Sequence, residues 1–256
     1  MHSPDQLRER VEEALDSLEL WPELHGQAIS ARYALEMGGK RVRPVISLAV
    51  GEALGAPVEQ VMPAALAIEL VHNFSLVHDD LPEMDNDAER RGKPSVWAEF
   101  GEGTALLAGD ALVAEAFRLA CRYPSSDVAR ELAEVTLGMI GGQFLDTMVP
   151  DSDLALVHRL KTGRLFSGSV TMALWAAELP FERQEPWRRF AEELGLLFQI
   201  VDDILDQDGY VLIHGLDGAR RHADDAAERA RGRLDDVDAD TTVLREIVDG
   251  LAVRTA

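Results

Sequence analysis

The sequence predicts an all-α protein, and three observations carry that prediction. Ala, Leu, Glu and Arg dominate a chain in which aromatic residues are only 6%. Apolar residues recur at spacings of three and four, and no alternating run reads as a strand. The 256 residues, 46% of them hydrophobic, are enough to bury a substantial core. No linker divides them, so one domain over residues 1–256 is expected.

Taken in order, Ser3-Pro4-Asp5 starts a charged amphipathic helix that breaks near Trp21-Pro22. A second helix begins around Gln27 and is interrupted by Gly38-Gly39. A basic knot follows at Lys40-Arg41-Val42-Arg43, and Pro44 fits the first turn of a helix over Val45 to Leu54. Met62 to Asp80 reads as a long helix, apolar on most sides and therefore buried, which Pro82 ends or kinks. Further helices are predicted at Thr104 to Arg122, Ser126 to Met148, Leu154 to Leu160, Ser167 to Ala177 and Pro186 to Asp206.

A net charge of -21 repels phosphate backbones and anionic membranes, so nucleic acid is excluded as a partner. No stretch reads as a transmembrane segment. The lone Cys121 cannot form an internal disulfide, and the first residues lack a signal-peptide core, so a cytoplasmic location is expected.

Two aspartate clusters carry the chemistry, DDLPEMD from Asp79 to Asp85 and DDILD from Asp202 to Asp206. In the second, Leu194, Leu197, Val201, Ile204 and Leu205 form an apolar stripe, so Asp202, Asp203 and Asp206 converge at the end of a packed helix. Such crowding of negative charge demands a cation. Hard oxygen ligands suit magnesium, which keeps water and takes phosphate oxygens for its remaining positions. In the first cluster Asp79, Asp80 and Asp85 are followed at once by Arg90, Arg91 and Lys93. Carboxylates for metals beside guanidinium forks for oxygens are what a diphosphate requires. The basic knot offers a second, metal-free anion site. Acidic pairs at Asp224-Asp225 and Asp235-Asp236 lie in polar surroundings and read as solvated faces.

The strings GGKRVRP, HNFSLVHDDLPEMDND, RRGKPS, KTG at Lys161 to Gly163 and FQIVDDILD occur in that order from Gly38 to Asp206. Together they resemble the trans-prenyl diphosphate synthases, and GLDGARRHADDAAERA is similar to that family's following helix. The resemblance implies an isoprenoid synthase fold, a helical bundle around a deep central active-site cavity, and a homodimer. It implies isopentenyl diphosphate and an allylic diphosphate as substrates, with about three magnesium ions per site. By motif position it gives metal roles to Asp79, Asp80, Asp85, Asp202, Asp203 and Asp206. Lys40, Arg43, His72 and Arg91 match isopentenyl diphosphate contacts, and Arg90 and Lys161 match allylic diphosphate contacts. Thr162 and Gln199 would lie near the developing carbocation. On a helix, His72, Ser75 or Leu76, and Asp79 share one face.

Phe74 stands five residues before Asp79, roughly 7.5 Å along a helix axis. With Ser75 it matches the positions that limit chain length, and this pattern, with the extra residues around Pro82-Glu83, is similar to bacterial farnesyl diphosphate synthases. Geranylgeranyl diphosphate is the alternative product. The family also carries, after the second motif, a longer loop whose lysines close over the allylic diphosphate. Here only Gln207, Asp208 and Gly209 separate Asp206 from Tyr210. Either the lid is truly missing or a disordered stretch has been omitted from the sequence, and omission is the expectation. A true loss would favour a non-catalytic partner subunit. A helical metal phosphohydrolase, built on His72 and His78-Asp79, leaves DDILD and GGKRVRP without a role.

Overall fold

The computed structural model describes residues 1–253. Ser3 opens α1 (Pro4–Asp16) with a capping box, its hydroxyl accepting from Gln6 N–H while the Gln6 side chain accepts from Ser3 N–H. Such a cap stabilises by about 1 kcal/mol. After a short 3-10 turn at Pro22–Leu24, the chain forms α2 (Gln27–Glu36) and α3 (Val42–Ala53). Helix α3 begins before Pro44, because Arg41 takes the left-handed conformation (φ 48°) and turns the chain into the helix there.

Helix α4 (Val58–Asp79) is the centre of the fold and packs against α3, α6 and α9. By length and composition alone it could cross a membrane, contrary to the sequence expectation, but 61% of its most apolar window is buried inside the protein. It is apolar on nearly every side because helices surround it. Pro63 lies inside α4, and the Tyr123 hydroxyl enters the helix there, accepting from Ala64 N–H at 3.1 Å and donating to the Gln60 carbonyl at 2.8 Å. This restores pairing near the residue that lacks an N–H.

Two-residue strands, β1 (Glu89–Arg90) and β2 (Lys93–Pro94), form an antiparallel hairpin that the sequence did not predict. Arg91 (φ 56°) and Gly92 (φ 77°) supply the two positive φ angles that so tight a turn requires. There follow α5 (Val96–Phe100), α6 (Glu102–Ala120), α7 (Asp127–Met148) and α8 (Leu154–His158), then a π-helical turn at Arg159–Gly163 that runs into α9 (Arg164–Ala176). Helix α10 (Glu185–Asp206) packs along α11 (Tyr210–Asp235), which is kinked at Gly215, and α12 (Thr242–Val253) packs on α11, α10 and α3. The acidic residues at 224–225 and 235–236 are exposed, as expected of solvated faces.

Only Gln207, Asp208 and Gly209 join α10 to α11. The full sequence is continuous here, and Gln207 (φ 56°) caps α10 while Asp208 N–H donates to the Asp203 carbonyl at 3.0 Å.

Candidate active site

Helix α4 delivers two adjacent carboxylates that point in different directions, since neighbours on a helix differ by about 100°. Asp80 is buried, and Arg90 Nε donates to both its oxygens at 2.8 and 2.9 Å, with Nη2 closing on Oδ1 as well. The hydrogen bond to Asp80 raises the Arg90 pKa further, while burial raises that of Asp80 against the opposing pull of Arg90. Asp80 and Arg90 are thus engaged with each other through Nε and Nη2 of the guanidinium. Asp79 is the open carboxylate. The 79–87 turn folds back through Asp85 N–H to the Asp79 carbonyl (2.8 Å) and Asp87 N–H to the Asp80 carbonyl (3.1 Å), returning Asp85 to the end of α4. Burial pushes Asp79 up to about 6, and the negative charge of Asp85 works in the same direction against Lys161 and Arg90.

The end of α10 repeats this division of labour. Asp203 Oδ1 accepts from Gln199 Nε2 at 2.5 Å, Oδ2 accepts from Tyr210 N–H at 2.8 Å, and His158 Nδ1 stands 3.6 Å from Oδ2. Its carboxylate is 7% exposed and pins the start of α11. Asp202 and the exposed Asp206 remain open. Burial raises Asp202 to about 6, opposed by Arg43 and Lys40 and reinforced by Asp206.

The basic knot divides as well. Arg41 is buried and structural, its Nη1 2.8 Å from Glu69, its Nε 3.0 Å from Glu12 and its Nη2 donating to the Leu35 carbonyl. Breaking such a buried pair costs roughly 3–5 kcal/mol. Arg43 is different. Its guanidinium lies over the Phe166 ring at 4.4 Å, makes no ion pair among the described residues, and leaves Nε buried without a partner. Burial lowers its pKa to about 10, while Glu69 and Asp202 hold it up. His72 sits close to this guanidinium, and burial followed by Arg43, Arg91, Arg41 and Arg90 holds it well below the usual imidazole value, hence neutral. Arg91 donates to the Gly38 carbonyl, and Lys40 is exposed near Asp202. Electrostatic neighbours thus run from Asp202 through Arg43 to His72, and up α4 to Asp79.

Lys161 and Thr162 lie in the π-helical turn, a form that often marks functional positions. Gly142 of α7 lets that turn approach, since a Cβ there would lie 2.4 Å from Lys161 N. Lys161 Nζ contacts Asp146 Oδ2 at 2.6 Å. Sequence reasoning missed Asp146; like the two clusters it ends a long apolar helix, but as one carboxylate it gave a weaker signal. Gln199 is buried with Oε1 unpartnered, an acceptor free for a positive centre. Phe74 and Ser75 are partly buried on α4, and the Ser75 hydroxyl donates to the His72 carbonyl at 2.9 Å.

Among the described residues no three His, Cys, Asp or Glu side chains already form a metal cage. Two separated pairs, Asp79 with Asp85 and Asp202 with Asp206, instead suit magnesium completed by water and phosphate oxygens. Their desolvation has a measurable consequence. Between the ordinary value of 3.8 and about 6, the folded chain holds more protons at Asp79 and Asp202 than the unfolded chain. Stability from this pair is therefore gained on acidification and lost as pH rises through about 6. In chelator, the Asp79→Asn/Asp202→Asn variant should melt above the parent protein at pH 7, with the gap shrinking on acidification to about half at pH 5 and vanishing only below the ordinary value of 3.8. A pH-independent gap in thermal melts would exclude this origin.

The polyprenyl synthetase family model matches residues 28–211. The chain is 37% identical over 246 residues to a farnesyl diphosphate synthase of Haemophilus influenzae, covering 83% of each protein. It is 35% identical to that of Bacillus subtilis over 88% of each. A geranyltransferase structure from Legionella pneumophila superimposes with a TM-score of 0.87 at 30% identity, covering 98% of this chain and 96% of that one. With the motifs, the all-α isoprenoid synthase fold and these likenesses in agreement, the chain belongs to the polyprenyl synthetase family, the trans-prenyl diphosphate synthases.

Proposed function

We propose that this chain condenses isopentenyl diphosphate with an allylic diphosphate (dimethylallyl, geranyl or farnesyl) to a short-chain trans-prenyl diphosphate, with farnesyl diphosphate the favoured product. The observation that carries the reading is Arg43, a partly buried guanidinium with no ion pair among the described residues, placed between neutral His72 and Asp202. An unpaired buried charge is costly, and an anion in the pocket offsets that cost. Lys40, Arg43 and Arg91 would hold isopentenyl diphosphate, with His72 neutral beside it.

Asp79, Asp85, Asp202 and Asp206 would hold magnesium. When bound, the metal draws charge from the allylic diphosphate and eases loss of the leaving group. Lys161, steadied by Asp146, would bind that leaving group. The carbonyl dipoles of Thr162 and Gln199 would face the allylic cation, and the unpartnered Gln199 Oε1 supports that placement. The apolar helices around α4 would exclude water that would otherwise trap the cation. The alkene of isopentenyl diphosphate then forms the new carbon–carbon bond, and loss of one proton restores neutrality.

A homodimer belongs to this reading. Leu106 and Leu107 of α6 and Leu137, Ile140, Phe144 and Met148 of α7 are exposed, and a second copy would cover them. Light scattering should give twice the chain mass, and a monomer at micromolar concentration would refute it. A cytoplasmic setting is included, supported by the lone Cys121.

The decisive test is incubation with magnesium, labelled isopentenyl diphosphate and each of the five-, ten- and fifteen-carbon allylic diphosphates. Extension by one or more five-carbon units is expected, and no prenyl product from any primer would refute the proposal. Phe74→Ala should lengthen the product on reversed-phase chromatography. A geranylgeranyl product is the second reading, favoured by 41% identity to a Cyanophora paradoxa geranylgeranyl diphosphate synthase over 69% of this chain and 64% of that protein.

A further inference from the structure

Helix α4 carries two histidines near its end, and they are held in different ways. His72 lies among arginines, whereas His78 is turned against α6. His78 Nε2 stands 2.9 Å from the Leu106 carbonyl, with Asp110 Oδ1 at 4.0 Å. The imidazole reaches this seat only because residue 109 is glycine. A Cβ at Gly109 would lie 2.2 Å from His78 Nε2 and 2.3 Å from Cδ2, closer than any real contact.

One turn back on the same helix face, the Phe74 ring meets the imidazole edge to face, with centroids 4.9 Å apart and planes inclined at 74°. Contacts of this type bias one ring position over its alternatives roughly 2- to 10-fold. The Phe74 ring is therefore held by a side chain that is itself fixed to α6 by a hydrogen bond and a glycine gap. Asp79 adjoins His78 in sequence, yet its electrostatic neighbours are Lys161, Asp85, Arg90 and Asp80, so the metal-facing side of the helix end is separate.

We propose that His78, seated over Gly109 and bonded to the Leu106 carbonyl, is a positioning residue that holds Phe74 and so limits product length from α6 as well as from α4. This rests on the prenyl-transfer reading above. A bare Phe74 side chain could swing aside for a growing hydrocarbon, and the His78 seat prevents that movement.

The test is the distribution of product lengths at matched conversion, with excess isopentenyl diphosphate and magnesium. His78→Ala should raise the fraction of products longer than the parent enzyme's at least about 3-fold, in the direction of Phe74→Ala. Gly109→Ala should do the same from the opposite helix, by pushing the imidazole off its seat. It also keeps the question answerable if His78→Ala loses its cooperative melt. His78→Phe, which keeps a ring against Phe74, should return the distribution toward the parent's.

The double variant Phe74→Ala/His78→Ala should be no longer in product than Phe74→Ala alone, because the effect passes through one ring. General destabilisation would lower total turnover and leave the length distribution unchanged. If Phe74→Ala lengthens the product while His78→Ala and Gly109→Ala do not, this inference is wrong and the enzyme assignment stands. If the parent protein makes no prenyl product, the assignment itself fails.

Discussion

Arg43→Gln is expected to reduce kcat/KM for isopentenyl diphosphate about 10²- to 10³-fold, on the scale of two charge-assisted hydrogen bonds lost from a desolvated site. The allylic substrate should be affected far less. The same substitution should leave the melting temperature of the ligand-free protein unchanged or raise it, because Arg43 has no ion pair to lose among the described residues and a buried Nε without a partner. Arg43→Lys should recover little, since an ammonium neither lies flat on Phe166 nor forms the two-pronged contact. Arg41→Gln makes the contrast. It breaks pairs with Glu12 and Glu69 and should destabilise the fold outright. Steady-state kinetics with each substrate varied, beside thermal melts, separate the two arginines; equal losses for both substrates at Arg43 would contradict the assignment.

Asp79→Asn and Asp202→Asn should each lower turnover by about 10²- to 10³-fold, the scale on which enzymes lose rate when a charge-stabilising group is removed. Both should also raise the magnesium concentration needed for half-maximal rate. Asp203→Asn should act otherwise, because Asp203 is hydrogen-bonded to Gln199 and to the first amide of α11. Its principal cost should be a lower melting temperature, with the magnesium requirement little changed. A magnesium titration in which Asp203→Asn matches Asp202→Asn would show that the buried carboxylate reaches the metal after all.

These contrasts also mark what the sequence could convey. Period, punctuation and the residues ending each apolar run placed the principal helices close to their true limits, since those signals are local. Within each motif, however, adjacent residues carry different duties that depend on distant partners. Asp80 is neutralised by Arg90 across a hairpin whose tight turn needs a left-handed arginine. Arg41 and Arg43 look alike in GGKRVRP, yet one is ion-paired to Glu12 and Glu69 while the other lies over the Phe166 ring with Phe198 beside it. Asp146 was passed over because a single carboxylate has no pattern, and its meaning comes from Lys161, fifteen residues on. The motifs located the candidate site, and tertiary contacts distinguish its open carboxylates and guanidinium from those already hydrogen-bonded within the fold.

The short connection after Asp206 leaves the two walls of the site unequal in freedom. Three residues span at most about 10 Å of extended chain. These three are further held by Asp203, which binds the first amide of α11 and accepts from Asp208 through its carbonyl. Helices α10 and α11 must therefore travel together, as a fixed jamb. Whatever aperture the substrates need is left to the opposite side, where the turn after Asp79 and its small hairpin expose Asp85, Arg91 and Lys93. The exposed residues of that turn and hairpin are therefore the part of the proposed site that the three-residue tether does not restrain.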